Sequence, residues 1–283
     1  VKAGIVSSVE VLLCECLNTL AVWASNKRTQ DMRESDMRWL HVGDIAVALS
    51  LLSRWPLRIS EAAYGRSGQA VWAYPVAGVL IALPAAGLAQ LCLGLGLSTG
   101  VAALLALACL TVSTGAMHED GLADSADGLW GGHNTARRLE IMKDSRIGAY
   151  GVLALIFGLG LRWLALSELF QSGAVLAPIL VTAALSRVVP TVLMLRLPQA
   201  RTTGLSQSVG TPQARHVGLA AILGALLAII ALQSFPLLVF FATALAITCC
   251  VLIAKYKLQG QTGDILGASQ QVAEITILLC LSV

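Results

Sequence analysis

Charged residues are scarce in this chain: only 12% of its 283 residues are Asp, Glu, Lys or Arg, where a soluble domain carries about 25%. That shortage excludes a water-soluble globular domain, because too few polar groups remain to cover its surface. Aromatic residues are also few, at 5%, whereas 57% of the chain is hydrophobic and 26 residues are Gly. Small residues let helices approach closely in lipid, so the composition describes a polytopic membrane protein. A formal net charge of only +3 gives no basic surface for nucleic acid. The seven cysteines (Cys14, Cys16, Cys92, Cys109, Cys249, Cys250 and Cys280) show no metal-ligand spacing with His. They read as small buried hydrophobes. There is no internal repeat and no low-complexity tract.

What the chain does have is long apolar runs. A spanning helix needs about 20 apolar residues. Seven candidates lie at about 71–93, 100–117, 149–167, 174–195, 217–233, 236–254 and 264–283. The run at 41–53 is shorter and reads as re-entrant or interfacial. The expected fold is therefore all-α: a polytopic membrane helix bundle of about seven transmembrane helices with cytoplasmic catalytic loops. Basic residues fall in alternate connections: Arg54, Arg58 and Arg66; Arg137, Arg138, Lys143 and Arg146; Arg196, Arg201 and Arg215; Lys255 and Lys257. The connections at 94–99, 168–173 and 234–235 hold no Lys or Arg. The positive-inside rule then puts the basic loops in the cytoplasm. Residues 1–40 form a separate extension. Val9, Leu12, Leu13, Cys16, Leu17 and Leu20 repeat at helical spacing, as in an amphipathic surface helix, and a charged linker from Lys27 to Arg38 follows. Residues 41–283 form the membrane-embedded catalytic domain.

The chemistry concentrates directly after the second run. Glu119, Asp120, Asp124 and Asp127 put four carboxylates within nine residues. Such density calls for a positive partner, and Mg²⁺ or Mn²⁺ suits oxygen ligands with room left for phosphates. All four are candidate metal ligands. Asp120, Asp124 and Asp127 are spaced i, i+4, i+7, which puts them on one helical face. A solvated acidic loop is the plainer alternative. His118 is a candidate base or ligand, and His133 flanks the cluster on the other side. Arg137, Arg138, Lys143 and Arg146 follow in the same loop and are candidates to grip a diphosphate; lipid head groups would explain them equally well.

The last run carries polar groups too. Asp264 suits a helix N-terminus, and Glu274 would lie about 15 Å deeper in a helix. A carboxylate at mid-membrane is normally paired or faces a cavity. Asp264, Gln271 and Glu274 share a broad face, expected to close the metal site from the opposite side. An interhelical hydrogen bond is the alternative. Arg187 lies too deep to snorkel, as a phosphate clamp or a partner for Glu274. Arg162, beside Trp163 near the outer end of its run, reads as an interfacial anchor.

Four segments in this order resemble one family: HEDGLADSADGLWGG at 118–132, RRLEIMKDSRIGAYG at 137–151, LSRVVPTVLMLRLPQARTTGL at 185–205 and QTGDILGASQQVAE at 261–274. They are similar to cobalamin synthases, the adenosylcobinamide-GDP ribazoletransferases. DIAVALSLLSRWPL at 44–57 resembles that family's usual start, so the likeness covers about residues 41–283 and leaves the N-terminal extension outside it. The resemblance implies a late step of cobalamin synthesis in the bacterial cytoplasmic (inner) membrane, with the active site facing the cytoplasm. Adenosylcobinamide-GDP and α-ribazole, or α-ribazole 5′-phosphate, would be the substrates, GMP the leaving product and Mg²⁺ the cofactor. A second copy of the chain is an open partner. A CDP-alcohol phosphotransferase fits less well, because Ala126-Asp127 stands where that pattern needs Ala-Arg. A secondary transporter fits less well too, because paired halves are missing.

Overall fold

The structure, a computed structural model, describes residues 40–233 and 236–283. The amphipathic helix and charged linker expected within residues 1–39 lie outside the described residues. The described chain is helical throughout. Its order is α1 (Gly43–Leu52), α2 (Glu61–Tyr64), a 3₁₀ turn at Ala70–Ala73, α3 (Tyr74–Gly94), α4 (Thr99–Thr114), α5 (Met117–Gly131), α6 (Thr135–Ile141), α7 (Ala149–Gln171), α8 (Leu176–Ser186), α9 (Val188–Arg196), α10 (Leu205–Val209), α11 (Ala214–Leu232), α12 (Leu237–Leu258) and α13 (Gly263–Leu281). Among the described residues, six helices, with α8 and α9 counted as one, are long and apolar enough to cross a membrane.

A seventh crossing results if α4 and α5 count as one span, but the two meet at 87°. The bend has a local cause. Gly115 (φ +65°) and Ala116 (φ +57°) both take the left-handed conformation, which ends α4 and redirects the chain. A Cβ on Gly115 would meet the Arg54 side chain at 2.4 Å, so both the space and the φ require glycine there. Ala116 holds the same conformation at a cost of about 1–2 kcal/mol. The run expected to continue straight through 117 thus stops short, and the acidic segment becomes a separate helix.

The run at 41–53 forms α1, which at ten residues is about 15 Å long and too short to span. It packs against α3. Its buried Asp44 accepts two bonds from Arg66 (2.8 and 2.9 Å) and one from Trp72 Nε1 (2.9 Å). A buried carboxylate so partnered pins α1 to the bundle.

Small residues let the helices approach one another. Ala82, Ala85, Ala86 and Ala89 of α3 lie fully buried beside Ala102, Ala103 and Ala106 of α4. The α8–α9 span is the centre of the bundle: 83% of its apolar window is buried, against 28% for α11 and α12. The last helix, α13, packs on α5, α7, α8 and α12. This places the second polar segment against the first. The five described cysteines are all free.

Candidate active site

The crossing of α5 and α13 builds the site. Gly121 and Gly267 let the two backbones touch: a Cβ on Gly121 would fall 2.8 Å from the Asp264 carbonyl oxygen and 3.1 Å from Gly267 Cα. A Cβ on Gly267 would lie 3.2 Å from the Met117 carbonyl. This close approach brings Asp264 to the acid face of α5. Asp124 there feels the like charges of Asp120, Asp264 and Asp127, and the opposite charge of Arg201.

Each acid has a different surrounding. Asp120 is exposed and Asp124 half-buried, and among the described residues neither carboxylate accepts a hydrogen bond. Asp127 is buried and engaged: its oxygens accept the backbone N–H groups of Gly148 (2.7 Å) and Gly151 (2.9 Å) at the start of α7. A Cβ on Gly148 or Gly151 would come within 2.5 and 2.4 Å of that carboxylate, so the glycines are what allow this side chain to cap the helix. Asp264 accepts from Arg201 Nη1 (2.8 Å) and Thr262 Oγ1 (3.3 Å), while the Thr262 hydroxyl caps the start of α13 by accepting from Ile265 N–H.

Arg201 is a site residue that the sequence hid among loop cations. The chain on either side explains its placement. A short bridge joins Gln199 to Gln261, with Ala200 N–H to Gln261 O at 2.9 Å and Gln261 N–H to Pro198 O at 2.8 Å. That bridge carries Arg201 to the N-terminus of α13. Its second arm donates to Leu139 O (3.1 Å), tying in α6. The segment LPQARTTG, which lies in one of the family-like stretches, was the signal available in the sequence.

Glu119 departs from the other acids. It lies on the opposite side of α5, inside the bundle, where Oε1 accepts from Arg162 Nη1 (3.0 Å). Arg162 also donates to Gln271 Oε1 (2.8 Å) and, through Nη2, to Glu274 Oε1 (2.7 Å). The expectation of an interfacial anchor is therefore overturned: Arg162 is 1% exposed and ion-paired to two helices. Its neighbour Trp163 points away and donates to Gly100 O (2.8 Å). Counting residues from the helix end could not reveal this, because the 87° turn after α4 is what brings Glu119 inward. Gln271 and Glu274 belong to this buried network, whereas only Asp264 of that face stands with the exposed acids. Gln270 adds bonds to Glu274 and to Ser186 Oγ.

Arg187 sits at the break between α8 and α9, in space left by Gly78, where a Cβ would meet Arg187 Cδ at 2.7 Å. Its Nη1 donates to Ala183 O (3.0 Å), so the ion partner of Glu274 is Arg162 rather than Arg187. Glu119 Oε2, Arg162 Nε, Thr182 Oγ1 and Arg187 Nε have no hydrogen-bond partner among the described residues. All four residues line one cavity with His118, of about 20 Å³, room for about one water molecule. His118 also lines a second, apolar cavity of about 70 Å³, with Tyr74, Met117, Met194, Leu205 and Gly267.

The basic loop lies outside these contacts. Arg137 pairs with Glu140 (2.8 Å) and Arg146 with Asp144 (2.7 Å), all at exposed positions. The Arg146 hydrogen bonds hold the Asp144 carboxyl down at about 2. Arg138 donates to Lys257 O (2.8 Å), joining α6 to the end of α12. Lys143 and His133 are exposed.

Among the described residues, no three His, Cys, Asp or Glu side chains enclose a metal position by themselves. The free oxygens of Asp120 and Asp124 are nonetheless hard donors in a negative field that Arg201 offsets only in part. That suits an ion such as Mg²⁺, which binds through one or two carboxylates and fills its other positions from water and substrate phosphate.

Over this same fold, a family model for cobalamin-5-phosphate synthase matches residues 44–282. The chain belongs to the cobalamin-5-phosphate synthase family. Membership makes it an enzyme of cobalamin synthesis, a transferase. It is 45% identical to an adenosylcobinamide-GDP ribazoletransferase of Bradyrhizobium diazoefficiens, over 84% of this chain and 92% of that protein. Relatives of the same name from Allorhizobium ampelinum and Sinorhizobium medicae are each 43% identical, covering 84% and 83% of this chain and 95% and 94% of theirs. No solved structure matches the chain. In this chain the matched region takes in the whole α5–α13 crossing and the Arg162 network, and leaves out the N-terminal extension.

Proposed function

We propose that this chain joins adenosylcobinamide-GDP to α-ribazole, or to α-ribazole 5′-phosphate, giving adenosylcobalamin or its 5′-phosphate and GMP. One observation carries the proposal: in a member of this family, Asp124 feels the like charges of Asp120, Asp264 and Asp127 against the single opposing charge of Arg201. The shared name of the relatives supports the same activity. In the reaction, the acceptor hydroxyl oxygen bonds to the phosphorus on the cobinamide side. The bond from that phosphorus to the bridging oxygen breaks, GMP leaves with the bridging oxygen and its electron pair, and the hydroxyl proton is released. Such a displacement needs in-line positioning and neutralised phosphate charge.

Asp120 and Asp124 would hold Mg²⁺, with Asp127 and Asp264 adding to the negative field. The bound ion supplies positive charge to the diphosphate oxygens. Arg201, already beside Asp264, is the cation that would hold an outer phosphate oxygen. Lys143 and Arg146 stand on the adjoining exposed loop as further anion contacts. His118, at the start of the acid helix, or one of the carboxylates takes the hydroxyl proton. The basic loops support a cytoplasmic position for this face, with the helices in the inner membrane of a bacterial cell.

The test is GMP release from adenosylcobinamide-GDP by detergent-purified protein, with α-ribazole and its 5′-phosphate supplied separately, with and without Mg²⁺. Magnesium-dependent GMP with either acceptor is the expected result. No GMP from folded protein with both acceptors would overturn the proposed activity.

A further inference from the structure

Two contacts on α5 lie on either side of the Gly121–Gly267 crossing, and they grip different faces of the helix. Asp120 and Asp124 flank Gly121, whose backbone meets Asp264, and lie close enough to Asp264 to feel its charge. Glu119, the residue before Asp120, faces inward to Arg162. Adjacent residues on an α-helix are about 100° apart, so holding Glu119 also sets the rotation of Asp120. Arg162 binds α13 at the same time, through Gln271 and Glu274, one and two turns beyond Gly267. The guanidinium comes from a third helix, α7, whose own N-terminus is capped by Asp127 of α5. Helices α5, α7 and α13 are thus locked to one another by charge on one side of the crossing, while the carboxylates assemble on the other.

We infer that Arg162 is a positioning residue: it holds α5 at the rotation and depth that turn Asp120 and Asp124 toward Asp264. Residues that orient metal ligands without touching the metal change affinity by about 10–100-fold when removed. Glu119 and Glu274 act through Arg162 rather than as ligands. The inference rests on the metal site proposed above, and only its location in the network is independent of that proposal.

The experiment measures Mn²⁺ binding by electron paramagnetic resonance on intact protein in detergent, at low temperature, beside the GMP assay. Arg162→Gln is expected to weaken Mn²⁺ binding about 10–100-fold and to raise the Mg²⁺ needed for GMP release in parallel, with Arg162→Lys recovering part of both. Arg66→Gln is the control: it breaks another partly buried ion pair, with Asp44, and is expected to lower stability while Mn²⁺ affinity stays as in the native protein. If Arg162→Gln does not insert, Gln271→Leu removes one Arg162 acceptor and leaves both ion pairs; a several-fold loss of Mn²⁺ affinity is expected. Native Mn²⁺ affinity in Arg162→Gln or in Gln271→Leu, or an equal loss in Arg66→Gln, would overturn the positioning role. Native protein that binds Mn²⁺ but releases no GMP would instead overturn the proposed reaction and leave the positioning role standing.

Discussion

Gly121 of α5 and Gly267 of α13 meet backbone to backbone, and a Cβ on Gly267 would lie 3.4 Å from Gly121 Cα. That contact brings Asp264, at the start of α13, against the acid helix. Gly121→Val puts side-chain carbon where the Asp264 carbonyl stands, and neither backbone can yield without moving an acid. Overpacking of this kind costs about 1–3 kcal/mol. The expected result is a lower thermal unfolding temperature and a larger loss of GMP release than instability explains. Gly160→Ala, where a Cβ meets nothing within 4 Å, should leave both unchanged. Equal effects from the two substitutions would show that the crossing is not tight.

Asp124 and Asp127 are three residues apart yet should fail differently. Asp124→Asn removes a charge opposed by three like charges and by burial and favoured only by Arg201, so thermal stability should hold or rise while turnover falls roughly 100-fold or more. Asp127→Ala removes the cap of α7 and should cost about 0.5–2 kcal/mol of stability. Unfolding curves and GMP release on the same preparations separate them. A destabilised Asp124→Asn of normal activity would contradict this assignment.

Arg201→Gln tests the residue that the bridge between Gln199 and Gln261 delivers. Loss of a charge-assisted bond to the donor should raise its KM about tenfold, with the KM for the acceptor little changed. An acceptor KM that moves instead would place Arg201 at the other substrate.

Breaking a buried ion pair by removing one partner costs about 3–5 kcal/mol. Arg162→Leu strips the partner from both Glu119 and Glu274, whereas Glu274→Leu leaves Arg162 paired with Glu119. Denaturant titrations should therefore rank Arg162→Leu as the more damaging. Equal costs would indicate that Glu119 draws its compensation from Arg187.

Much of this was legible beforehand. The apolar runs marked their helices to within a few residues, because hydropathy records the bilayer directly. The density of acids from Glu119 to Asp127 marked a candidate site, and Asp264 was read correctly as sitting at a helix start. Rotation and depth were not legible. Glu119 and Asp120 are neighbours in sequence, yet one enters the bundle and the other meets solvent. Arg162 looked like an anchor because its depth was counted along α7, without the helix that turns to meet it. Arg201 looked like any loop cation until two distant turns were bridged.

From its composition and patterning alone, then, this chain is bound to be a bundle of lipid-embedded helices with a patch of aspartates at one helix end. Burial of apolar surface and crowding of like charge are properties of local sequence, which is why they could be read there. Which carboxylate points at which cation is decided by the two left-handed residues after Thr114 and by the glycines at the crossing. Those set angles between helices, and an angle between helices exists only once the chain has folded.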